Sequence, residues 1–278
     1  WAVREVGLPA DEELARRESI FALANGHVGL RGNLDEPEVC GRPGTFLNSV
    51  YEERDLTYPE EGYGFPERTQ TIVDAANAKP ISLSVGDERF DLRTGTVRRH
   101  ERVLDLRRGT LTREVEWTSP GGVDVWLRTE RLVSFTRSSI AAIRYTVRAE
   151  AALRVRSDLV VNEEVPQSRD DPRASAVIQE PFAPVSHDED VLVHRTRRSG
   201  VTVAAAVAHR GADGVTTAGP DRIRWTAEGH GELRFEKIVA YRWDGDEDVR
   251  AAARAERDKV EDFDTLADEQ CRFLAAFW

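Results

Sequence analysis

The sequence predicts an all-β protein, a large antiparallel β-sandwich. Residues 81–243 contain a succession of short segments in which apolar and polar residues alternate, such as I-S-L-S-V and V-D-V-W-L. Turn residues separate these segments at intervals of about 8–12 residues, which is typical of antiparallel sandwiches and barrels. No helical segments are predicted between them, so the βαβ units of a doubly wound parallel sheet are not expected.

The N-terminal region carries a short helical segment followed by a predicted hairpin. The stretch E-E-L-A-R-R at 12–17 fits one helical turn, and the pattern from Glu18 onward indicates extended chain. Asn25-Gly26 lies between the apolar runs I-F-A-L and V-G-L, and Asn-Gly in that position is a strong hairpin signal.

Three glycines in this region, Gly26, Gly29 and Gly32, suggest a phosphate-binding loop at first sight. Their spacing matches neither G-x-G-x-x-G nor the P-loop pattern, and no helix is predicted after them. We therefore expect the glycines to serve a tight turn and close backbone packing.

The remaining segments complete the predicted organisation. Residues 35–80 and 163–190 are polar and rich in turn residues, which predicts long surface loops. Residues 244–278 change to strong helix formers and predict two helices, the first capped by Asp246. Leu266, Cys271, Leu274 and either Phe277 or Trp278 are expected to share an apolar face of the second helix. Residues 1–243 are thus predicted to form the sandwich domain, and residues 244–278 the start of a helical linker.

Composition excludes several classes of protein. The net charge is −11, and an acidic chain repels nucleic acid. No apolar stretch approaches the ~20 residues that a membrane span needs, and no signal peptide is visible, so we expect a cytoplasmic protein without a membrane partner. The two cysteines, Cys40 and Cys271, are expected to be free thiols. Because the chain starts at Trp1 and contains no methionine, we expect an excised segment of a longer protein.

No reaction can be assigned from catalytic or metal-binding sequence motifs alone. The six histidines show no spacing that predicts a metal site, and there is no G-x-S-x-G nucleophile motif. The acidic pairs at 52–53, 60–61 and 163–164 are expected to form solvated surface.

A series of short motifs nevertheless resembles one family. E-S-I-F-A-L-A-N-G-H-V-G-L-R-G at 18–32 is similar to the opening of glycoside hydrolase family 65. The resemblance continues in order with T-F-L-N-S-V-Y, Y-G-F-P-E-R-T-Q-T-I-V, L-D-L-R-R-G-T-L-T-R, R-L-V-S-F, S-D-L-V-V-N-E and F-L-A-A-F-W. It covers nearly the whole chain, and the order of the motifs makes it specific.

The resemblance implies the N-terminal domain of an inverting disaccharide phosphorylase or hydrolase acting on alpha-glucosides such as maltose, trehalose or kojibiose. In that family a galactose-mutarotase-like super-β-sandwich leads through a helical linker into an (α/α)6-barrel, which carries the general acid and the phosphate site. The barrel is absent from this sequence, so no catalytic residue is assigned to it. The parent reaction would be attack of phosphate or water on the anomeric carbon, assisted by one carboxylic acid, with inversion.

The resemblance also implies partners and a role for this domain. It would pack on its own C-terminal catalytic domain, help to shape the mouth of the pocket that takes the disaccharide, and support a homodimer. No cofactor and no metal are implied, and inorganic phosphate would be a co-substrate of a parent phosphorylase. The residues expected near the pocket mouth are Asn25, His27, Arg31, Tyr63, Phe65, Glu67 and Arg68.

Alternatives remain at this stage. The same residues would otherwise pack and cap the sandwich internally, and for Arg31 a buried ion pair with a loop carboxylate is expected. One alternative function is a carbohydrate-binding or interaction module with exposed aromatics along a groove. Another is a stand-alone aldose epimerase, which would need His194 or His209 to face Glu236 across a cleft.

Overall fold

The computed structural model describes residues 1–37, 41, 43–56, 62–164, 178–243 and 248–278, and it confirms the predicted all-β class. The elements in chain order are β1 Ala2–Val6, α1 Asp11–Ile20, β2 Leu23–Ala24, β3 Val28–Leu30, β4 Thr45–Leu47, β5 Tyr51–Asp55, β6 Arg68–Ile72, β7 Ile81–Val85, β8 Glu88–Arg89, β9 Thr96–Asp105, β10 Thr110–Thr118, β11 Asp124–Val133, β12 Ile140–Val160, β13 Phe182–His187, β14 Val191–Thr196, β15 Thr202–Arg210, β16 Val215–Gly219, β17 Arg222–Trp243, α2 Val249–Asp258 and α3 Phe263–Phe277.

One large antiparallel sheet dominates the molecule. Its main strand order is β1-β9-β10-β11-β12-β17-β15-β14-β13. The central strands β12 and β17 are 21 and 22 residues long and pair along their length. A bulge between Ala149 and Ala152 divides them, so that their halves have different outer neighbours. One half pairs with β11 and β15, and the other half pairs with β7 and β16.

The two halves face each other across a hydrophobic core. Tyr145 and Val147 precede the bulge, Leu153 and Val155 follow it, and all four belong to one buried cluster. Bulges bend a strand and increase its twist, which allows one continuous pair of strands to serve both layers. The two layers are therefore connected by the continuous strands β12 and β17 as well as by packing.

Period-two alternation in the strands decides which residues face the core. Ala141 and Ile143 point inward, whereas Ile140 and Ala142 belong to the cluster on the opposite face, where α3 packs. Helix α2 packs beside it, with Ala253 against the outward residues of β14 and β15. On the inner side, the small sheet β2-β3-β4 contributes Leu23, Val28, Leu30 and Leu47 to the core.

Several local predictions need correction. Helix α1 runs from Asp11 to Ile20, so Glu18 is helical and not extended, and its carboxylate contacts Arg31 and the backbone N–H of Gly41. Residues 35–80 contain strands β4, β5 and β6 in addition to loops. Of the acidic pairs, Glu52 is buried and not solvated, since its carboxylate accepts hydrogen bonds from the backbone N–H groups of Arg198 and Ser199.

The C-terminal helices are confirmed, with changes in their details. Asp248 caps α2, accepting from the backbone N–H groups of Arg250 and Ala251, whereas the predicted cap Asp246 lies outside the described residues. In α3 the predicted face is buried at Leu266 and Leu274, whereas Cys271 is partly exposed and Phe277 and Trp278 are exposed.

The remaining sequence predictions concern the two cysteines, the acidic pair at 60–61 and the absence of a membrane span. Cys271 is a free thiol, while Cys40 and the pair at 60–61 lie outside the described residues. None of the helices in the described ranges has the length and apolar character that a membrane span requires.

Candidate functional site

The predicted hairpin at Asn25-Gly26 forms and is fixed by the Asn25 side chain. Strands β2 and β3 pair on either side of it, and Gly26 adopts a φ of +85°. The Asn25 Oδ1 accepts from the backbone N–H groups of His27 and Val28, both at 2.8 Å. Its Nδ2 donates to the carbonyls of Ser134 and Ser138 at 2.7 and 2.9 Å, which ties the turn to the β11–β12 connection. Every polar atom of this side chain is therefore used in holding the turn.

His27 lies at the tip of this hairpin and packs against the end of β17. Its imidazole stacks on the indole of Trp243, with ring centroids 4.1 Å apart and an interplanar angle of 27°. Partial burial lowers the pKa of His27, and the charge of nearby Arg242 lowers it further. The ring is therefore neutral near pH 7, when it can donate one hydrogen bond and accept another.

Arg31 forms the buried ion pair that the sequence suggested, but with a helix residue. Its Nη2 lies 3.5 Å from the Oε2 of Glu18 on α1, and it also donates to the carbonyl of Ala15. The side chain covers Gly44, where an added Cβ would lie 2.3 Å from the Arg31 Cδ. Arg31 thus fastens α1 and the chain near Gly44 to strand β3.

The other predicted residues lie on the β5–β6 hairpin and its approach. Tyr63 is fully exposed, and Phe65 is 52% exposed. The backbone carbonyl of Glu67 accepts from Leu56 N–H, and Arg68 has weak ion pairs with Glu53 and Asp55 at 3.7 and 3.6 Å.

The structure divides the predicted residues into two groups with different surroundings. Asn25 and His27 contact the end of β17 and the β11–β12 connection. The β5–β6 hairpin instead docks on the β14–β15 connection, where Glu52 accepts from Ser199 N–H and Arg198 pairs with Asp55 at 3.0 Å. Only the second group offers exposed aromatic side chains to an outside partner.

A buried ion network that sequence reasoning missed lies beneath the loop at 33–37. The carboxylate of Asp35 is fully buried and binds Arg113 at 2.8 Å and Arg131 at 2.5 Å. It also accepts from the hydroxyl of Thr129 at 3.1 Å. Burial opposes ionisation of Asp35, but the two arginines outweigh it and lower its pKa.

Further members of the network have pKa values that burial shifts. Glu36 pairs with Arg113 at 3.0 Å, and burial raises the pKa of Glu36. His100 accepts from the Nε of Arg113 and contacts the carbonyl of Gly7 through Nδ1 at 3.0 Å. Burial, and next the charge of Arg113, lower the pKa of His100 to about 3. The sequence did contain a signal for this network: Arg113 on β10 and Thr129 and Arg131 on β11 occupy positions of the alternating pattern that point inward.

The histidine–glutamate pair of an epimerase does not form. Arg210 pairs with Glu236 in the ladder and His209 with Lys237, which places His209 and Glu236 on opposite faces of the sheet. His209 stacks on Trp225 and its Nε2 lies 2.9 Å from the Ser157 hydroxyl, whereas Glu236 binds Arg144 at 3.1 Å. His194 instead contacts Asp221 at 3.0 Å.

An apolar groove lies between α3 and the inner small sheet. It has a volume of about 440 Å³ and is lined in part by Leu106, Phe135, Phe273, Phe277 and Trp278. Phe135 and Phe273 stack at 5.6 Å, and the Trp278 indole N–H donates to the carbonyl of Leu106 at 3.0 Å. Exposed aromatic side chains at one place are typical of a surface that another protein covers.

Metal chemistry has no candidate in the described part of the chain, where no group of three or more His, Cys, Asp or Glu side chains is positioned to hold an ion. The lysines Lys79 and Lys237 are buried, but their ammonium groups donate to backbone carbonyls, those of Gly44 and of Ala78 and Asp158. These hydrogen bonds show that both ammonium groups help to hold the fold.

Comparisons with known proteins are consistent with this architecture. A family model described as "Glycosyl hydrolase family 65, N-terminal domain" matches residues 4–277. An uncharacterized glycosyl hydrolase of Mycobacterium tuberculosis is 45% identical over 299 residues, covering all of this chain and 38% of that relative. An alpha,alpha-trehalose phosphorylase of Thermoanaerobacter brockii is 31% identical over 304 residues, covering all of this chain and 39% of the relative.

A solved structure gives the same picture of the fold. A putative kojibiose phosphorylase from the human microbiome superposes with a TM-score of 0.86 at 18% identity, over all of this chain and 38% of that one. The chain therefore spans a little over a third of the length of the proteins that it matches.

Proposed function

The chain belongs to the N-terminal domain family of glycosyl hydrolase family 65, and from this premise we propose that it is a non-catalytic domain that packs on the catalytic domain of a carbohydrate-active enzyme. The parent enzyme would be an inverting disaccharide phosphorylase or a hydrolase of alpha-glucosides. If it is a phosphorylase, inorganic phosphate is its co-substrate. We place the enzyme in the cytoplasm, as a homodimer.

The apolar groove beside α3 is the observation that carries this proposal. Phe273, Phe277 and Trp278 are 46, 71 and 54% exposed, so a large apolar area faces solvent. Burying each square ångström of such surface contributes about 25 cal/mol, which favours a permanent protein contact here. Sugar rings need polar partners beside their aromatic contacts, and the groove offers few of them, which argues against a carbohydrate-binding module.

Activity measurements test the non-catalytic assignment. The purified chain is expected to release no sugar or sugar phosphate from maltose, trehalose or kojibiose, with or without phosphate. Turnover by the chain alone that survives repurification would show that the assignment is wrong.

A binding measurement tests the packing. The remainder of the 45% identical mycobacterial relative, expressed separately, is expected to bind this chain. Phe273→Ser should weaken that binding roughly tenfold, since a central aromatic contact contributes about 1–2 kcal/mol or more. Val215→Ser removes a 71% exposed apolar side chain on β16, outside the groove, and is the control. Equal affinities for both variants would contradict the assignment of the groove.

The exposed residues of the β5–β6 hairpin support a contact at the mouth of the substrate pocket. In the whole enzyme, Tyr63→Ala is expected to raise KM for the disaccharide without changing thermal stability, because Tyr63 is fully exposed here. For Asn25, His27 and Arg31 the internal contacts described above favour a positioning role. An unchanged KM for Tyr63→Ala would remove the hairpin from the pocket.

A further inference from the structure

A cluster of arginines on the outer face of the β7-β12-β17 layer is used by none of the functions considered above. The arginine groove, as we call it, has a volume of about 360 Å³ and includes Arg89, Arg154, Arg156, Arg222 and Arg224. Ser82 and Ser84 of β7 also line it. The chain as a whole has 50 acidic and 39 basic residues, so a concentration of five guanidinium groups runs against its overall charge.

The strand register places three of these arginines around one point. Arg156 is opposite Ser82 on β7 and Thr226 on β17. Arg154 lies two residues earlier on the same face of β12, and Arg224 is on the diagonal from Arg156. Residues two apart on one strand and diagonal cross-strand residues lie about 7 Å apart, which is within reach of long side chains. Three arginine side chains therefore share one face of the layer with the hydroxyl groups of Ser82 and Thr226.

The carboxylates in and beside the groove already have partners, and Glu163, which also lines it, accepts from the Asn77 side chain at 2.6 Å. Asp158 binds Arg224 through two contacts of 2.8 Å and also pairs with Arg222. Glu228 binds Arg154 at 2.7 Å. Arg156 has no hydrogen bond or ion pair with any residue in the described ranges, because serine and threonine occupy the cross-strand positions where Arg148 and Arg144 find Glu232 and Glu236.

Arg156 therefore adds an uncompensated positive charge beside three arginines that are already paired, and neighbouring like charges on a sheet are destabilising. A guanidinium presents a planar fork of N–H donors that matches two oxygens of a phosphate, and serine hydroxyls add further donors. We propose that the arginine groove is a binding site for a small phosphate-bearing ligand, held by Arg156 with support from Arg154, Arg224 and Ser82. The volume suits inorganic phosphate or a sugar phosphate, and the proposal does not depend on the function proposed above.

Calorimetric titration of the chain at low ionic strength tests this site. The probes are inorganic phosphate, glucose 1-phosphate and unphosphorylated glucose. We expect saturable binding of both phosphates and none of glucose. Tighter binding of glucose 1-phosphate would identify a sugar phosphate as the ligand, and equal binding would identify the phosphate group alone.

Two variants decide whether the effect is local. Arg156→Gln is expected to lower the affinity for phosphate at least roughly tenfold, since charge-assisted hydrogen bonds are lost. Arg148→Gln is the control, because it removes an exposed arginine from the same strand and the same charge from the protein. It should change the affinity less than about twofold.

Three outcomes would overturn the proposal. One is the absence of saturable binding at roughly 10 mM phosphate, well above a millimolar Kd. Another is an equal loss of affinity in both variants, which would indicate unspecific attraction to the net charge. The third is binding of an oligoglutamate peptide without binding of phosphate, which would assign the groove to an acidic protein segment.

Discussion

The His27 imidazole stacks on the Trp243 indole at 4.1 Å and so joins the β2–β3 hairpin to the end of the longest strand. The two residues are far apart in the sequence, and the contact closes the inner side of the sandwich at this point. Its strength can be measured, because both rings can be truncated without touching the Asn25 hydrogen bonds.

A double-mutant cycle of His27→Ala and Trp243→Ala is expected to give a coupling free energy of about 0.5–1.5 kcal/mol, as found for aromatic pairs. The measurement is the free energy of unfolding from urea titrations. Tyr63→Ala is the control, since that side chain is exposed and should leave stability unchanged. Additive single effects for His27 and Trp243 would show that the stacking contributes nothing.

Gly32 is the glycine of the triplet at which an added side chain would collide with neighbouring atoms. An added Cβ would lie 2.5 Å from the carbonyl oxygen and Cβ of Phe21, so Gly32→Ala should cost about 1–3 kcal/mol or more of unfolding free energy. Gly29→Ala is the matched control, because its nearest neighbour would be at an ordinary 3.7 Å. Similar stabilities of the two variants would contradict close packing at Gly32.

Asp35 is expected to be among the most sensitive positions of the molecule. Asp35→Asn leaves Arg131 and Arg113 buried without its charge, so we expect a loss of about 3–5 kcal/mol. Asp264→Asn breaks an ion pair of 2.8 Å with Arg144 at a position where Asp264 is 71% exposed. That control should cost less than about 1 kcal/mol. Chemical denaturation measures the loss of unfolding free energy in both variants. Similar losses would mean that the buried ion pairs of Asp35 contribute no more to stability than an exposed ion pair.

His100 is expected to make stability depend on pH. Its pKa is lowered from 6.5 to about 3 in the folded chain, so the unfolded state binds more protons between these values. The stability it contributes is fully present above pH 6.5 and is lost as the pH falls toward 3, by about 1.4 kcal/mol per pH unit. Between pH 4 and 7, the free energy of unfolding should therefore change less with pH in His100→Gln than in the unmodified chain. It is measured by urea titrations at several pH values.

The exposed residue His230 provides the comparison for this pH dependence. In His230→Gln the free energy of unfolding is expected to depend on pH as it does in the unmodified chain. If His100→Gln retained it as well, the pH dependence would have to come from other groups, such as the buried carboxylates.

Much of the fold follows from local patterns in the sequence. Alternation along β10 to β12, the Asn25-Gly26 turn and the helix-forming C-terminal segment each specify their element through short-range physics, namely side-chain periodicity and backbone preference. The ordered motifs also identified the family. The prediction for Glu18 was wrong because no glycine or proline between Arg17 and Phe21 marks the end of α1 in the sequence, and only the structure shows that the helix continues to Ile20.

What the sequence determined by itself is therefore the class of the fold, the succession of strands and the family. Only the tertiary structure decided which polar residues are buried together, such as Asp35 with Arg113 and Arg131, because strands distant in sequence bring them into contact. It also separated Asn25 and His27 from the β5–β6 hairpin, and it brought the arginines of β12 and β17 to one face. Such placements depend on register and on the bulge in β12, where a shift of one residue would turn every side chain to the opposite face.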